Sequence, residues 1–547
     1  MAKGFNQKIS VLVVEDQPLA QKYLRYSLQN LGFGQVDLAE QAHDAITRCS
    51  EGKYQLILCS FDISKGKDGY QLYEELKERQ LIQLSTAFIF ISAETEPGLV
   101  HSVIELQPDD FLVKPFTLKD LDLRISRVLL RKSRLKDIYR ALDKNDIQRA
   151  LLLADEHLAD VQYAKSIPQI LRIKGELLLQ LKDFNRAQVF FISVLKIQKL
   201  TWAKIGLIKC LIALNHEEQA FTELELLAQQ PATQLEALEL LSDIQFRRNE
   251  YNQALDNIKK ATSLSPRNIH RQDKLVNIAR INHDYESQYK AHRDIIKYAK
   301  NSLHDKPEIY LNVVRSGIDY ALTNYNEEQM YRTLKQASEY INELKSSFPH
   351  ADKDEQINVI NARIHYLKDE KDKAKQLIGD VLATADTPIN SIEDELDKAK
   401  SFHELGFYNQ SKQLFEKIDV FCQQQNDQNN TSIAAYIKQE KRQREAIKLG
   451  PKELNNNAVN YYQRGNYPEA FNAFRQAFAL IPGNTSIALN LLQTITNNQA
   501  INLQANDIKS LIESCFDTIA NGELEAEQLV RLKVVKEKLA PEPPKAA

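Results

Sequence analysis

Four short apolar runs punctuate the first 130 or so residues, with amphipathic stretches between them. Val11-Leu12-Val13-Val14 ends at Glu15-Asp16, and Leu56-Ile57-Leu58-Cys59 ends at Ser60. Phe88-Ile89-Phe90-Ile91 ends at Ser92-Ala93, and Phe111-Leu112-Val113 leads into Lys114-Pro115-Phe116. Runs that are apolar throughout rather than alternating suit strands buried on both faces, and the helical periodicity between them predicts a parallel sheet covered by helices. Helices are expected near residues 18–31, with Leu19, Tyr23, Leu24 and Leu28 at helical spacing and Gly32 as the stop, and near 40–49, 70–79 and 97–106. Thr117 is placed to cap a fifth. In such a sheet the C-terminal strand ends converge on one crevice, so an acid pair, two serines and a lysine should meet there.

After this domain the pattern is helix upon helix. From Thr117 to about Leu142 no glycine or proline interrupts the periodicity of Leu121, Ile125, Val128, Leu129, Leu135, Ile138 and Leu142, which predicts one long helix or two abutting ones, a stiff joint without a linker. Arg124, Arg127, Arg131, Lys132, Arg134 and Lys136 lie on it as a basic stretch, in the simplest view a solvated face, in the alternative a stripe for a partner or nucleic acid. From about 133 to 539 a period near 34 residues recurs. Its clearest copy has Leu454, Ala458, Tyr461, Gly465, Tyr467, Ala470, Phe474, Ala477 and Pro482. Small residues at 458, 470 and 477 would let paired helices approach, with Tyr461, Tyr467 and Phe474 filling the gaps. Other copies carry Tyr251, Ala254, Ile258, Ala261 and Pro266, or Gly175, Phe184, Ala187 and Phe191, while the stretch from Tyr310 to Phe348 looks longer than a standard unit. Units of this kind bury their apolar faces only by stacking into a superhelix. Loops are expected at 383–389 and 423–431, and a disordered tail at 541–547.

Composition narrows the classes. At 547 residues the chain exceeds a single core, and a net charge of −3 argues against a protein built mainly to neutralise nucleic-acid phosphates. The five scattered cysteines, without metal-type spacing, read as reduced and buried thiols. The N-terminus lacks a secretory apolar core and no apolar run approaches membrane-spanning length, so a cytoplasmic protein is expected. The histidines form no H-E-x-x-H pattern, no phosphate-cradling glycine loop is present, and Trp202 reads as a packing residue.

The acid pair Glu15-Asp16, the hydroxyl and small residue Ser92-Ala93, the Lys114-Pro115 step and the Asp68-Gly69 turn, in this order, resemble the receiver domain of two-component response regulators. The repeats resemble tetratricopeptide repeats. The resemblance implies a flavodoxin-like receiver with a five-stranded parallel sheet at 1–130 and an all-α tetratricopeptide superhelix at 131–540, clearest at 167–200, 235–268 and 451–484. It also implies metal acids at Glu15 and Asp16 for Mg²⁺, a phosphoryl-pairing Lys114, a switch hydroxyl at Ser92 and a switch aromatic at Phe111. One position departs: the phosphoryl-accepting aspartate expected after the third strand is Ser60, and in the matching loop register Asp62 stands where the family has asparagine.

A serine hydroxyl without an adjacent base is a poor nucleophile near neutral pH. It also brings no charge to a cation. Two like charges about 5 Å apart at an effective dielectric near 20 repel by about 3 kcal/mol, so the substitution relaxes the empty pocket and weakens Mg²⁺ binding together. Three readings follow: a pseudo-receiver kept for its fold and partner surface, a switch with Asp62 as acceptor, or modification of Ser60 itself. Asp62 must overcome a two-residue step of about 6.6 Å. The expected function is a non-enzymatic adaptor in two-component or phosphorelay signalling. Its receiver would dock a histidine kinase, a phosphotransfer domain or another response regulator, and its repeat groove would hold a protein or peptide; neither nucleic acid nor membrane is expected. A repeat scaffold with no kinase partner is the remaining alternative.

Overall fold

The computed structural model describes residues 6–64, 66–93, 97–323, 327–382, 389–424, 431–498, 500–503, 505–522 and 524–539. The expected loops at 383–389 and 423–431 fall largely outside these residues, and the expected tail lies wholly outside them. Two compact units divide the chain, residues 1–271 with 298–305, and residues 272–297 with 306–547.

The first unit begins with the alternation that the apolar runs predict. In order these are β1 (Ser10–Val14), α1 (Pro18–Asn30), β2 (Gln35–Ala39), α2 (Ala42–Glu51), β3 (Leu56–Ser60), α3 (Gly69–Glu78), β4 (Ala87–Ser92), α4 (Pro97–Leu106), β5 (Asp110–Val113) and α5 (Leu118–Arg134). The strands form one parallel sheet in the order β2-β1-β3-β4-β5. Every residue of β3 and β4 is buried, since helices cover both faces. One face packs Leu12, Ile57, Phe88 and Phe90 against Leu72 and Leu76, and the other packs Val11, Val13, Leu58 and Ile89 against Leu24, Leu28, Leu121 and Ile125. This is the flavodoxin-like receiver architecture.

Helix α1 corrects one expectation. Leu24 and Leu28 are buried as foreseen, but Leu19 and Tyr23 face outward, at 83% and 45% exposure, beside an exposed Tyr26. The buried stripe instead runs through Gln21, Leu24, Ser27 and Leu28, and the outer residues form a second apolar stripe that periodicity does not separate from the first.

Thr117 caps α5 in a reciprocal capping box with Asp120. The joint is two abutting helices, α5 and Lys136–Asp143, which share the buried Leu135. Along most of its length the basic stretch is tied into ion pairs rather than left as a bare solvated face. Arg124 and Arg127 pair with Asp110 at 2.8 and 2.6 Å, and Arg131 and Lys132 pair with Asp109 at 2.7 and 3.0 Å. Lys132 also donates to the Leu84 carbonyl at 2.6 Å and lies over the Tyr139 ring, while Asp143 accepts from the Leu84 backbone at 2.8 Å. These bonds fasten α5 to the start of β5 and, through Leu84, α5 and its successor to the loop before β4.

Helix pairs follow, from Ile147–Ala159 to Tyr251–Leu264 in the first unit. Small and large side chains interlock as the repeat spacing predicts: a Cβ on Gly175 would sit 2.7 Å from the Phe191 ring, so only glycine admits that aromatic. Trp202 packs edge-on against the same ring, a structural role. All five cysteines are free and buried.

In the second unit the clearest repeat is the pair Pro451–Gln463 and Tyr467–Leu480, with Leu454, Ala458, Ala470, Phe474 and Ala477 buried. Tyr461 does not fill the gap between these helices. It is exposed, and Tyr462 packs on Tyr467 instead, because a stripe through Leu454 and Ala458 continues at 462, a further four residues on. The long helices Pro307–Thr323 and Glu327–Ser347 account for the oversized repeat. The helix Ile392–Glu404 is buried on every side from Asp394 to Glu404, charged residues included.

Candidate functional site

Sheet register brings the sequence-predicted residues together. Val14 pairs with Cys59, Ser60 with Ile91 and Ser92 with Val113, so Glu15-Asp16, Ser60, Ser92 and Lys114 leave adjacent strands at one edge. Backbone bonds carry the ladder past the strand ends: Glu15 N to Ala39 O at 3.1 Å, Phe61 N to Ile91 O at 2.8 Å and Lys114 N to Ser92 O at 2.8 Å.

The side chains sort into three linked groups. Lys114 Nζ pairs with Glu15 Oε2 at 2.9 Å, and the Glu15 side chain is 1% exposed. Its other oxygen accepts from Gln17 N at 3.2 Å. Asp16 Oδ2 accepts from the backbone N–H of Ser64 at 2.9 Å and from the Ser64 hydroxyl. Burial works to raise the Asp16 carboxyl, but the Ser64 hydrogen bonds outweigh it and hold the group below its ordinary value. The third group is Ser60, Asp62 and Ser92. Ser60 is 4% exposed and donates its hydroxyl to the Asp62 carbonyl at 3.3 Å, while the Asp62 carboxylate accepts from the Ser92 hydroxyl at 3.4 Å. The side chain of Asp62 thus reaches the Ser92 hydroxyl despite the two-residue step. Phe111 is half-buried and packs on the cluster of Leu12, Phe88 and Phe90.

The loop after β3 is shaped by close packing. Phe61 and Ile63 point into the core, Phe61 against Phe90, so Asp62 and Ser64 face outward. The loop closes where Gly69 N donates to Phe61 O at 2.9 Å, and Asp68 then caps α3 with Gln71. A Cβ on Gly69 would lie 2.3 Å from Ser60 O and 3.0 Å from Phe61 Cα, both backbone atoms. Gly69→Ala should therefore displace the strand end carrying Ser60 and lower stability by about 1–3 kcal/mol. Urea denaturation would check this, and an unchanged midpoint would show that the loop yields freely. Neither the turn glycine's backbone contact nor Ser64 as the partner of Asp16 carries a periodic signal; the Asp-Gly dipeptide alone marks a turn.

Magnesium is held by near-octahedral oxygens, usually one or two carboxylates with waters and phosphate. Glu15 is engaged by Lys114 and Gln17, and Asp16 Oδ2 by Ser64. Asp16 Oδ1 is buried without a partner, a single oxygen. Ser60 supplies no charge, and among the described residues no group of three His, Cys, Asp or Glu side chains could hold a metal. The residues as arranged do not fit a resident magnesium ion, and the Lys114 ammonium supplies the charge that Glu15 faces.

Residues 11–126 match the family model of the response regulator receiver domain. The receiver is similar to transcriptional regulatory protein ResD of Bacillus subtilis, 30% identical over 123 residues, covering 22% of this chain and 49% of that protein. It is also similar to transcriptional activator protein IrlR of Burkholderia pseudomallei, 32% identical with 22% and 50% covered. A probable chemotaxis protein CheY of Rhizobium etli is 28% identical over 122 residues, which are 22% of this chain and 93% of that one. Among solved structures, chemotaxis protein CheY4 of Vibrio cholerae aligns at 21% identity over 22% of this chain and 98% of its own, with a TM-score of 0.21. The chain spans about half the length of the curated transcriptional relatives it matches. No helix among the described residues is long and apolar enough to cross a membrane.

Proposed function

We propose that this chain is a response-regulator-like adaptor of a two-component or phosphorelay system, with a receiver that does not carry a phosphoryl group and a tetratricopeptide array as its protein-binding output. The observation that carries the reading is Ser60. It occupies the end of β3, buried, with its hydroxyl given to the Asp62 carbonyl, and among the described residues no hydrogen bond joins that hydroxyl to a base that could activate it. The pairing of Lys114 with Glu15 supports it, because the cation that would meet a phosphoryl group already has a partner. The exposed Leu19, Tyr23 and Tyr26 on α1 offer an apolar surface to a histidine kinase, a phosphotransfer domain or another response regulator. Docking without turnover makes such a protein a competitor or adaptor rather than an enzyme. A cytoplasmic location goes with this reading, because five free, buried cysteines suit a reducing compartment.

A specific observation favours a second reading, a switch with Asp62 as acceptor: its carboxylate already meets the Ser92 hydroxyl. Both readings are tested by phosphoryl incorporation from a small-molecule phosphodonor with Mg²⁺ into the parent, Ser60→Asp and Asp62→Ala. The adaptor reading expects an unlabelled parent and label in Ser60→Asp, where the acceptor carboxylate is restored. Label in the parent that Asp62→Ala abolishes overturns it in favour of the switch.

A further inference from the structure

Within the first unit, the array's own residues cover the α3–α4 face of the receiver. Arg267 Nη1 pairs with Asp68 at 2.6 Å, and its guanidinium lies over the rings of Phe61, Tyr70 and Tyr298 at 5.0, 5.4 and 5.4 Å. Such a site suits arginine because its planar cation can stack on rings while its N–H groups bind a carboxylate. Arg271 is 2% exposed and grips both oxygens of Glu105, with Glu239 at 3.2 Å as a second acid. Burial works to lower its basicity, and the two carboxylates more than offset that. Glu105 also accepts from Ser265 Oγ at 2.5 Å and Asn268 Nδ2 at 3.0 Å, and the buried hydroxyls of Ser102 and Ser265 lie 3.2 Å apart. Gln71 Nε2 donates to the carbonyls of Tyr298 and Lys300, and His304 faces Glu74 at 3.2 Å.

The receiver's side of this contact is acidic (Asp68, Glu74, Glu105) and the array's side is basic (Arg267, Arg271, His304). Each charge at its centre is paired and hydrogen-bonded, the condition under which buried charge is tolerated. We propose that residues 265–271 and 298–305 form a receiver-docking surface, occupied in cis by this chain's own receiver, which closes the α3–α4 face to outside partners. The partner this surface fits is the acidic α3–α4 edge of a receiver. A receiver supplied in trans would have to displace the one already bound. The surface also touches the candidate site: Arg267 holds Asp68 at the end of the loop that begins at Ser60, and Phe61, between Ser60 and Asp62, lies under the same guanidinium. Movement of that loop is thereby felt by the array.

The test uses the full chain with Ser102→Cys and Ser265→Cys, oxidised mildly and analysed by mass spectrometry of non-reduced peptides. The closed form predicts a 102–265 disulfide in most molecules and at least a tenfold lower yield when Arg271→Glu is added. Absence of the linkage, or a yield indifferent to Arg271→Glu, overturns the proposal. Hydrogen exchange on Arg271→Glu alone gives an independent reading. Amides of 101–106 should exchange roughly a hundredfold faster, the factor expected on breaking a buried ion pair, while β1 and β3 amides stay protected because the receiver remains folded. Unchanged exchange in 101–106 would also overturn it.

Discussion

Replacing Arg363 with methionine should lower the stability of the second unit by about 3–5 kcal/mol, the usual effect of removing one partner from a buried ionic cluster. The Arg363 side chain is 1% exposed and contacts three carboxylates: Asp319 at 2.8 Å, Asp397 at 2.6 Å and Glu404 at 2.9 Å. Burial works to lower its basicity, but Glu404, Asp319 and Asp397 more than offset that and hold it firmly charged. Lys400, 2.8 Å from Asp319, and Arg315, 3.5 Å from Asp397, are cations that remain beside these acids once the arginine is gone. Methionine keeps most of the apolar stem, so the loss reports charge and hydrogen bonding rather than a cavity. Urea unfolding followed by circular dichroism would measure it. Adding Glu404→Gln should give a double variant more stable than the sum of the single losses by 1 kcal/mol or more, about the coupling expected of residues in direct contact. A midpoint shift worth less than about 0.5 kcal/mol, the range of an ordinary surface change, would show that the cluster is dispensable.

Acidification from pH 7 to pH 5 should destabilise the same unit, through histidines rather than carboxylates. His403 is 2% exposed, donates Nε2–H to the Ile447 carbonyl at 2.7 Å and faces Arg444 with its other nitrogen at 3.3 Å, an arrangement for the neutral ring. Burial, helped by Arg444, holds its pKa down to about 4. His292, also buried, is held down to about 3 by burial and then by Arg280 and Arg315, against the opposing pull of Glu393 and Asp319. The folded values lie below the ordinary 6.5, so the unfolded chain binds the extra protons. The stability these neutral rings contribute is complete above pH 6.5 and is lost as pH falls from there toward the folded values. By pH 5 each should have lost about 2 kcal/mol, and His283, held down to about 4 by burial, adds a similar loss. The carboxylates Asp319, Glu393 and Glu440, all held below their ordinary values, add a further loss only below about pH 4. His403→Gln, keeping a donor for Ile447, should flatten the pH 5–7 slope by about a third, since His283 and His292 keep their share. An unchanged slope would mean that His403 charges without penalty.

Much of this could be read from order along the chain. The residues at the strand ends, Glu15, Asp16, Ser60, Ser92 and Lys114, were legible because apolar runs fix strand ends and a parallel sheet gathers those ends on one edge. The cap at Thr117 and the small-to-large interlock of Gly175 with Phe191 follow from spacings of three or four residues and from repeats. Helix α1 was half legible: periodicity found its apolar residues but not which of its two stripes, Leu24 with Leu28 or Leu19 with Tyr23, meets the sheet. Ser60 at the end of the third strand was visible in a single letter, but not that Asp62 would reach Ser92, because the turn after β3 depends on Gly69 meeting the backbone of Ser60.

Tertiary structure alone decided where the charges went. Arg124, Arg127, Arg131 and Lys132 look like a free basic face until β5 places Asp109 and Asp110 beneath them. Arg271 and Glu105 are 166 residues apart in sequence, and Arg363 meets Asp319 and Glu404 across more than 40. Apolar burial leaves a periodic trace because every turn of a helix or pleat of a strand repeats the same demand. A buried ion pair makes that demand once, between positions that only the completed packing brings together. The chain's sequence therefore determines its two architectures and the edge where the receiver's polar residues meet. Long-range packing decides which of its charges are bound inside and which face the solvent.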